Sequence, residues 1–240
     1  WLSDSVQNWY GITVDSSGVT EINLNNNNLN GVIPPEIGNL SKLKVFNIAV
    51  NNISNIPVEL FNCIEIAVFR VNANNIDTLY SSISNLTNLE ELVLGGNNIN
   101  NLPIEIFSLN QLRFLNFAAN EINTIPAEIG NLKNLENFQF FENNIRSIPS
   151  EIENCSQLSY INGYSNDIDT LPTSLSNLNQ IETLFLWRNK LTFEDIEPLI
   201  GINGFDYQDQ DSIGEKIDTT LNIGDDFTYD LLVGGDHNIY

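Results

Sequence analysis

The sequence predicts an α/β solenoid: a right-handed, horseshoe-shaped coil of eight repeats and two caps, with a parallel β-sheet on its concave side and short 3₁₀ or irregular turns on its convex side. Three observations predict it. The pattern Leu-x-x-Leu-x-Leu-x-x-Asn-x-Leu, with other apolar residues allowed at the Leu places, starts at Val19, Leu43, Ile66, Leu89, Leu112, Leu135, Leu158 and Ile181, with one step of 24 residues and then six of 23. Its Asn is met every time, at Asn27, Asn51, Asn74, Asn97, Asn120, Asn143, Asn166 and Asn189. Prolines recur at 34, 57, 103, 126, 149 and 172, beyond the strand part of each repeat. A fixed period of this length is the signature of stacked units, none of which can bury its apolar edge alone.

The elements follow in chain order. Residues 1–18, with Trp9-Tyr10-Gly11-Ile12, read as an N-terminal cap. The chain opens at Trp1 with neither a Met nor a signal-type apolar stretch, so a processed or excised piece is expected. The repeats span residues 19–206. In each, alternation sends the first, fourth and sixth positions toward the core, and a turn and return segment follow. The repeat at Leu112 shows this with Leu112, Leu115, Phe117, Ile122, Ile125, Ile129 and Leu132 inward. An Asn side chain has both donor and acceptor, so the Asn column is read as a ladder that satisfies loop backbone where water is excluded. Proline suits a convex turn through its fixed φ and missing donor; Leu79-Tyr80 replaces Ile-Pro once.

Two positions break the core column. Gly163 stands where Leu or Phe is expected, and bulk from an adjacent coil, Phe140 or Leu186, is expected to fill the gap. Cys63 and Cys155 share the column of Leu40, Leu86, Leu109, Leu132 and Leu178. Four repeats apart, at about 4.8 Å per strand, they are too distant for a disulfide and read as buried free thiols. From Thr192 the return segment looks more helical, capped from about residue 190 by a degenerate strand, Ile202-Asn203-Gly204-Phe205-Asp206-Tyr207. Residues 207–240 read as an acidic β-rich tail. From Phe205 onward there are nine acids and one Lys.

These residues resemble the leucine-rich repeat family over roughly Val19 to Phe205. Leu29-Asn30-Gly31-Val32-Ile33-Pro34 is similar to the plant-type subclass, and Trp1 through Gly18 to its N-terminal cap. Later repeats drop the Gly and one residue, and the cap lacks paired cysteines, so a bacterial secreted or surface protein of the same architecture fits as well. The tail resembles the start of an immunoglobulin-like module, with a docked hairpin as the alternative. The resemblance implies non-enzymatic recognition, mostly of proteins, at an extracellular or cell-surface location.

Composition narrows the partner. With 31 Asp and Glu against 9 Lys and Arg, a formal charge of -22, nucleic acid and anionic membrane are not the expected partners. No apolar stretch is long enough to insert in a membrane. One histidine, His237, lies in a tail turn, and no zinc spacing, phosphate loop, nucleophile elbow or dinucleotide fingerprint appears, so neither a cofactor nor a catalytic site is indicated. The tail aspartates match no calcium-loop pattern and read as solvated acidic surface. Sequons at Asn39, Asn52, Asn85 and Asn154 are expected from the Asn content, 40 residues.

The informative surface is the set of variable positions two, three, five, seven and eight of each repeat, which face the concave side. They carry six acids and four bases, a net of -2, while the remaining positions carry 25 acids and 5 bases, a net of -20. Small residues fill the first half, and aromatics gather in the second: Phe114, Phe141, Tyr160, Tyr164, Phe185 and Trp187, with Arg113, Glu142 and Arg188 at the rim. Phe141, Tyr164 and Trp187 share position seven in successive repeats and should form a column. Large rigid rings with charges at their edge have the composition of a binding hot spot. Protein or peptide is the leading ligand, with a glycan stacked on the rings as the second reading. A spacer whose rings only pack across strands or lie under the tail is the third. Position five, with Asn23, Asn47, Asn116 and Asn162 interrupted by Arg70 and Val93, gives only a broken row toward an ice-binding surface.

Overall fold

One inward apolar residue flanked by two outward ones makes a three-residue strand and leaves the chain free to turn immediately afterwards. The computed structural model describes residues 9–202, 204–208 and 210. Its strands are β1 (Ile12–Asp15), β2 (Gly18–Asn23), β3 (Asn30–Val32), β4 (Val45–Asn47), β5 (Asn52–Asn55), β6 (Val68–Arg70), β7 (Glu91–Val93), β8 (Phe114–Asn116), β9 (Asn137–Gln139), β10 (Tyr160–Asn162), β11 (Thr183–Phe185) and β12 (Phe205–Asp206). β1 and β2 pair antiparallel, and the sheet then runs β2, β4, β6 to β12 in parallel order. β3 and β5 make a small separate parallel sheet.

Register is constant: Val45 lies beside Val68, Val68 beside Glu91, Phe114 beside Asn137 and Tyr160 beside Thr183. Residues at one repeat position therefore stand side by side on neighbouring strands. The central inward residues Phe46, Phe69, Leu92, Leu115, Phe138, Ile161 and Leu184 are all buried in one continuous core.

The return segments are more regular than expected. Each is a five-residue 3₁₀ helix, from Pro35–Asn39 through Thr173–Asn177, and the residue before it is proline except at Tyr80. Those prolines hold φ between -62° and -77° in the extended region, so their rings set the entry angle without costing a donor. Each helix ends at the column of Leu40, Cys63, Leu86, Leu109, Leu132, Cys155 and Leu178, whose N–H turns back to the residue three before.

Both cysteines are free and fully buried. Burial alone pushes the Cys155 thiol up to about 12 and raises that of Cys63. Neither should react with a thiol reagent at neutral pH until the chain unfolds, when both should. The pH dependence has a definite sign. Below pH 9 the Cys155 thiol is protonated in both states. Between pH 9 and about 12 the unfolded chain loses this proton and the folded one keeps it, so stability falls as pH rises through that window. Urea melts at pH 8 and pH 10.5, for wild type and Cys155→Ala, measure the difference.

Position eight is left-handed in every repeat: Asn26, Val50, Ala73, Gly96, Ala119, Glu142, Ser165 and Arg188 have φ between 50° and 66°. The residues are chemically unrelated, so the turn imposes the conformation. For an ordinary L-residue this costs roughly 1–2 kcal/mol, and a β-branched residue is worst placed. Val50 is also half solvent-exposed. Val50→Asn should therefore stabilise the protein by about 1 kcal/mol, raising the thermal midpoint by about 2–4 °C.

The Asn column forms the ladder. Asn51 Nδ2 donates to the carbonyls of Leu24, Ile48 and Ala49 at 2.9, 2.8 and 3.1 Å, and its Oδ1 accepts from Asn27 N and Leu29 N. The pattern repeats from Asn74 through Asn189, all buried. Asn27 departs from it. It is exposed and, among the described residues, its side chain donates only to Asn25 O, because no earlier repeat offers it a carbonyl to bridge.

At the other end the ladder gains a rung that sequence reading missed. Gln210 Oε1 accepts from Leu191 N at 3.1 Å, and its Nε2 donates to Leu186 O and Tyr207 O. The degenerate strand is thus a ninth unit, with Ile202, Phe205 and Tyr207 inward and Gln in place of Asn. β12 pairs parallel with β11. The helix before it, α1 (Phe193–Ile196), begins with a capping box between Thr192 and Asp195. The expected tail strands and His237 lie outside the described residues, as do Trp1 to Asn8 of the cap.

Phe140 fills the space over Gly163: a Cβ there would stand 2.3 Å from Phe140 Cε2. This is the adjacent-coil bulk the sequence called for.

Candidate ligand-binding surface

The constant register brings position seven together. Phe141 and Tyr164 stack with ring centroids 4.8 Å apart and planes at 7°, and Tyr164 and Trp187 stack at 4.3 Å and 4°. Tyr164 is thus covered on both faces and shows solvent its edge. Arg188 places its guanidinium carbon 5.0 Å from the Trp187 ring centroid, a cation–π arrangement. Tyr164 donates its hydroxyl to Glu142 Oε1 at 3.2 Å. Partial burial, and then the nearby Glu142 carboxylate, hold the Tyr164 phenol above its ordinary value, so it remains a donor at neutral pH. Next to this column Tyr160 and Phe185 meet edge to face, with centroids 6.0 Å apart. All five rings are half-buried.

Two expected members stand apart. Phe114, half-buried on β8, makes no ring contact among the described residues. Arg113 closes onto Glu136, with Nη2 at 2.7 Å and Nε at 2.9 Å from one carboxylate oxygen. Arg70 does the same with Glu91 in a bidentate pair. In both pairs the Glu belongs to the next repeat, so these cations are spent within the sheet. Arg188 has no ion-pair partner among the described residues.

Sequence reading also missed the centre of the patch. Asn162 is the last residue of β10, between Tyr160 and Tyr164 in the chain, with Gln139 and Phe185 beside it on the flanking strands. It is 8% exposed, and its Oδ1 has no hydrogen-bond partner. Two tyrosines at i-2 and i+2 around a position-five Asn were the available signal. Among the described residues, no group of three or more His, Cys, Asp or Glu could hold a metal ion, and no helix is long and apolar enough to cross a membrane.

The repeat geometry agrees with comparisons to known proteins. A leucine-rich repeat region model matches residues 95–200 and a leucine-rich repeat model matches residues 18–40. The chain belongs to the leucine-rich repeat family. Its structure is similar to a leucine-rich repeat protein of the bacterium Leptospira interrogans, at 29% identity and a TM-score of 0.67 over 72% of this chain and 44% of that one. It is also similar to two ectodomains of Arabidopsis receptor kinases. That of GASSHO1/SCHENGEN3, in complex with Casparian strip integrity factor 2, gives 27% identity and a TM-score of 0.73 over 78% of this chain and 24% of that one. That of HAESA, in complex with a peptide hormone ligand, gives 26% identity and 0.71 over 79% and 34%. The chain thus spans less than half the length of each. Among curated proteins none matches. The fold is one whose typical use is binding.

Proposed function

We propose that the protein is a non-enzymatic recognition module, acting outside the cell or at its surface, that binds a protein or peptide through the C-terminal half of its concave face. In this reading residues 19–206 are the recognition solenoid, 1–18 its cap and 207–240 an appended tail. The observation that carries the proposal is the stack of half-buried rings Phe141, Tyr164 and Trp187 beside Tyr160 and Phe185. Such rings offer large rigid area at little entropic cost, with Glu142 and Arg188 at the rim. The peptide hormone held by the HAESA ectodomain supports the ligand class by fold-level analogy.

The same geometry weighs against the glycan reading. A sugar stacks on a ring face, and the inner faces of this column are already occupied by one another. The test pans a phage-displayed random 12-residue peptide library and probes a glycan array, using wild type and a Tyr164→Ala, Trp187→Ala double variant that melts like it. Peptides captured by wild type and lost by the variant support the proposal. Variant-sensitive glycan signals alone would replace it with the sugar reading, and identical behaviour of both proteins with the spacer reading.

A further inference from the structure

We infer that the ligand places a cationic side chain, lysine or arginine, against Asn162, making the aromatic patch selective for basic peptide segments. This rests on the peptide-binding reading and specifies its partner. Equivalent asparagines satisfy their own acceptors: Asn47 Oδ1 takes the N–H of Ala49 at 3.1 Å, and Asn116 Oδ1 that of Ala118 at 3.0 Å. At Asn162 the corresponding bond, from Tyr164 N, is not formed. Its Nδ2 lies 3.5 Å from the Tyr160 hydroxyl, and its Oδ1 is left without a donor. A buried acceptor lacking a donor bears its desolvation cost uncompensated, and an arriving N–H group removes that cost.

The surroundings select a charged donor. The Tyr160 hydroxyl touches the amide, Phe185 is its neighbour on β11 and Tyr164 follows two residues later, and aromatic rings attract cations, as Arg188 over Trp187 already shows. The acceptor lies just beneath the surface, so a slender lysine or arginine stem packs along the ring edges and its head meets the acceptor as those edges part. Glu142 and Glu182 are exposed on the same face as Arg188, which has no ion-pair partner among the described residues; Arg113 is held by Glu136 and Lys190 by Asp167. The net charge of -22 steers basic segments in and repels acidic ones.

The library above supplies the test. Peptides that depend on Tyr164 and Trp187 are expected to carry Lys or Arg between apolar residues and to bind more weakly as salt is raised. A synthetic copy should lose about tenfold or more in affinity when that Lys becomes norleucine, and about as much against Asn162→Leu. Asn47→Leu, at the equivalent place in a distant repeat, should leave affinity unchanged. Asn162→Asp adds a charge without changing size and should tighten binding of the basic peptide; it serves as the second readout should the Leu variant fold poorly. Patch-dependent peptides that lack a basic residue, or that tolerate norleucine, would overturn the inference and leave the patch standing. A library yielding no patch-dependent peptide would overturn both.

Discussion

Asn120→Ala is expected to lower the unfolding free energy by about 4 kcal/mol, read from urea melts of the variant and wild type. The figure follows from four bonds at roughly 1 kcal/mol each. Asn120 Nδ2 donates to Leu94 O, Phe117 O and Ala118 O, and its Oδ1 accepts from Ile99 N at 3.0 Å. The carbonyls retain other donors: Leu94 O is also bonded by Asn97 and Phe117 O by Asn143. The Ile99 N–H retains nothing, and it is buried. The loss is felt on both sides of the cut, since the ladder ties each repeat to its predecessor and solenoid stability is a sum of such interfaces. Asn27→Ala supplies the contrast. The pattern residue is the same, but the side chain is exposed and bonded only within its own turn, so the cost should stay within about 0.5 kcal/mol. Equal losses at the two positions would mean that the ladder is not what holds the coils together.

That contrast also marks where the sequence stops being informative. The ladder and the core were legible because the same demand recurs at the same place and the residue never changes. The left-handed position was not legible, because Val, Ala, Glu, Ser and Arg occupy it alongside Asn and Gly; the strand-to-ladder turn imposes a conformation that the local residue does not request. Gln210 escaped for a different reason. The last unit is shorter than 23 residues, and a longer side chain makes up the reach, so neither spacing nor residue type matched. In the patch, position seven was readable as a column because parallel register is automatic in a fixed-period coil. The loss of Arg113 to Glu136 was not, since two residues 23 apart become partners only when one knows how their side chains lean across neighbouring strands. Asn162 was hidden in plain view as one more Asn among 40, distinguished only by a side-chain oxygen left without a donor.

The second large effect is expected at that glycine. Gly163→Leu restores the residue that Leu94 and Leu186 supply at the same repeat position, and a consensus argument would predict stabilisation. The structure predicts a loss of about 3 kcal/mol. A Cβ would stand 2.3 Å from Phe140 Cε2 and 2.4 Å from Cζ. The ring cannot retreat, because it is fully buried against Phe138, 4.7 Å away between centroids, and Phe117, 6.2 Å away. Phe140→Leu alone should also destabilise, by about 1–3 kcal/mol, since it opens a gap over Gly163 that nothing fills. Combined, Gly163→Leu and Phe140→Leu return the core to two ordinary Leu-type coils. The double variant should be more stable than the sum of the single losses predicts by about 1–3 kcal/mol. The coupling matters beyond stability, because Gly163 joins Asn162 to Tyr164. Displacing its backbone in the single variant should disturb the Tyr164 and Trp187 stack and alter the near-ultraviolet circular dichroism, and the double variant should restore the signal. Additive losses, or a single variant as stable as wild type, would show that Phe140 does not hold this segment of the concave face in place.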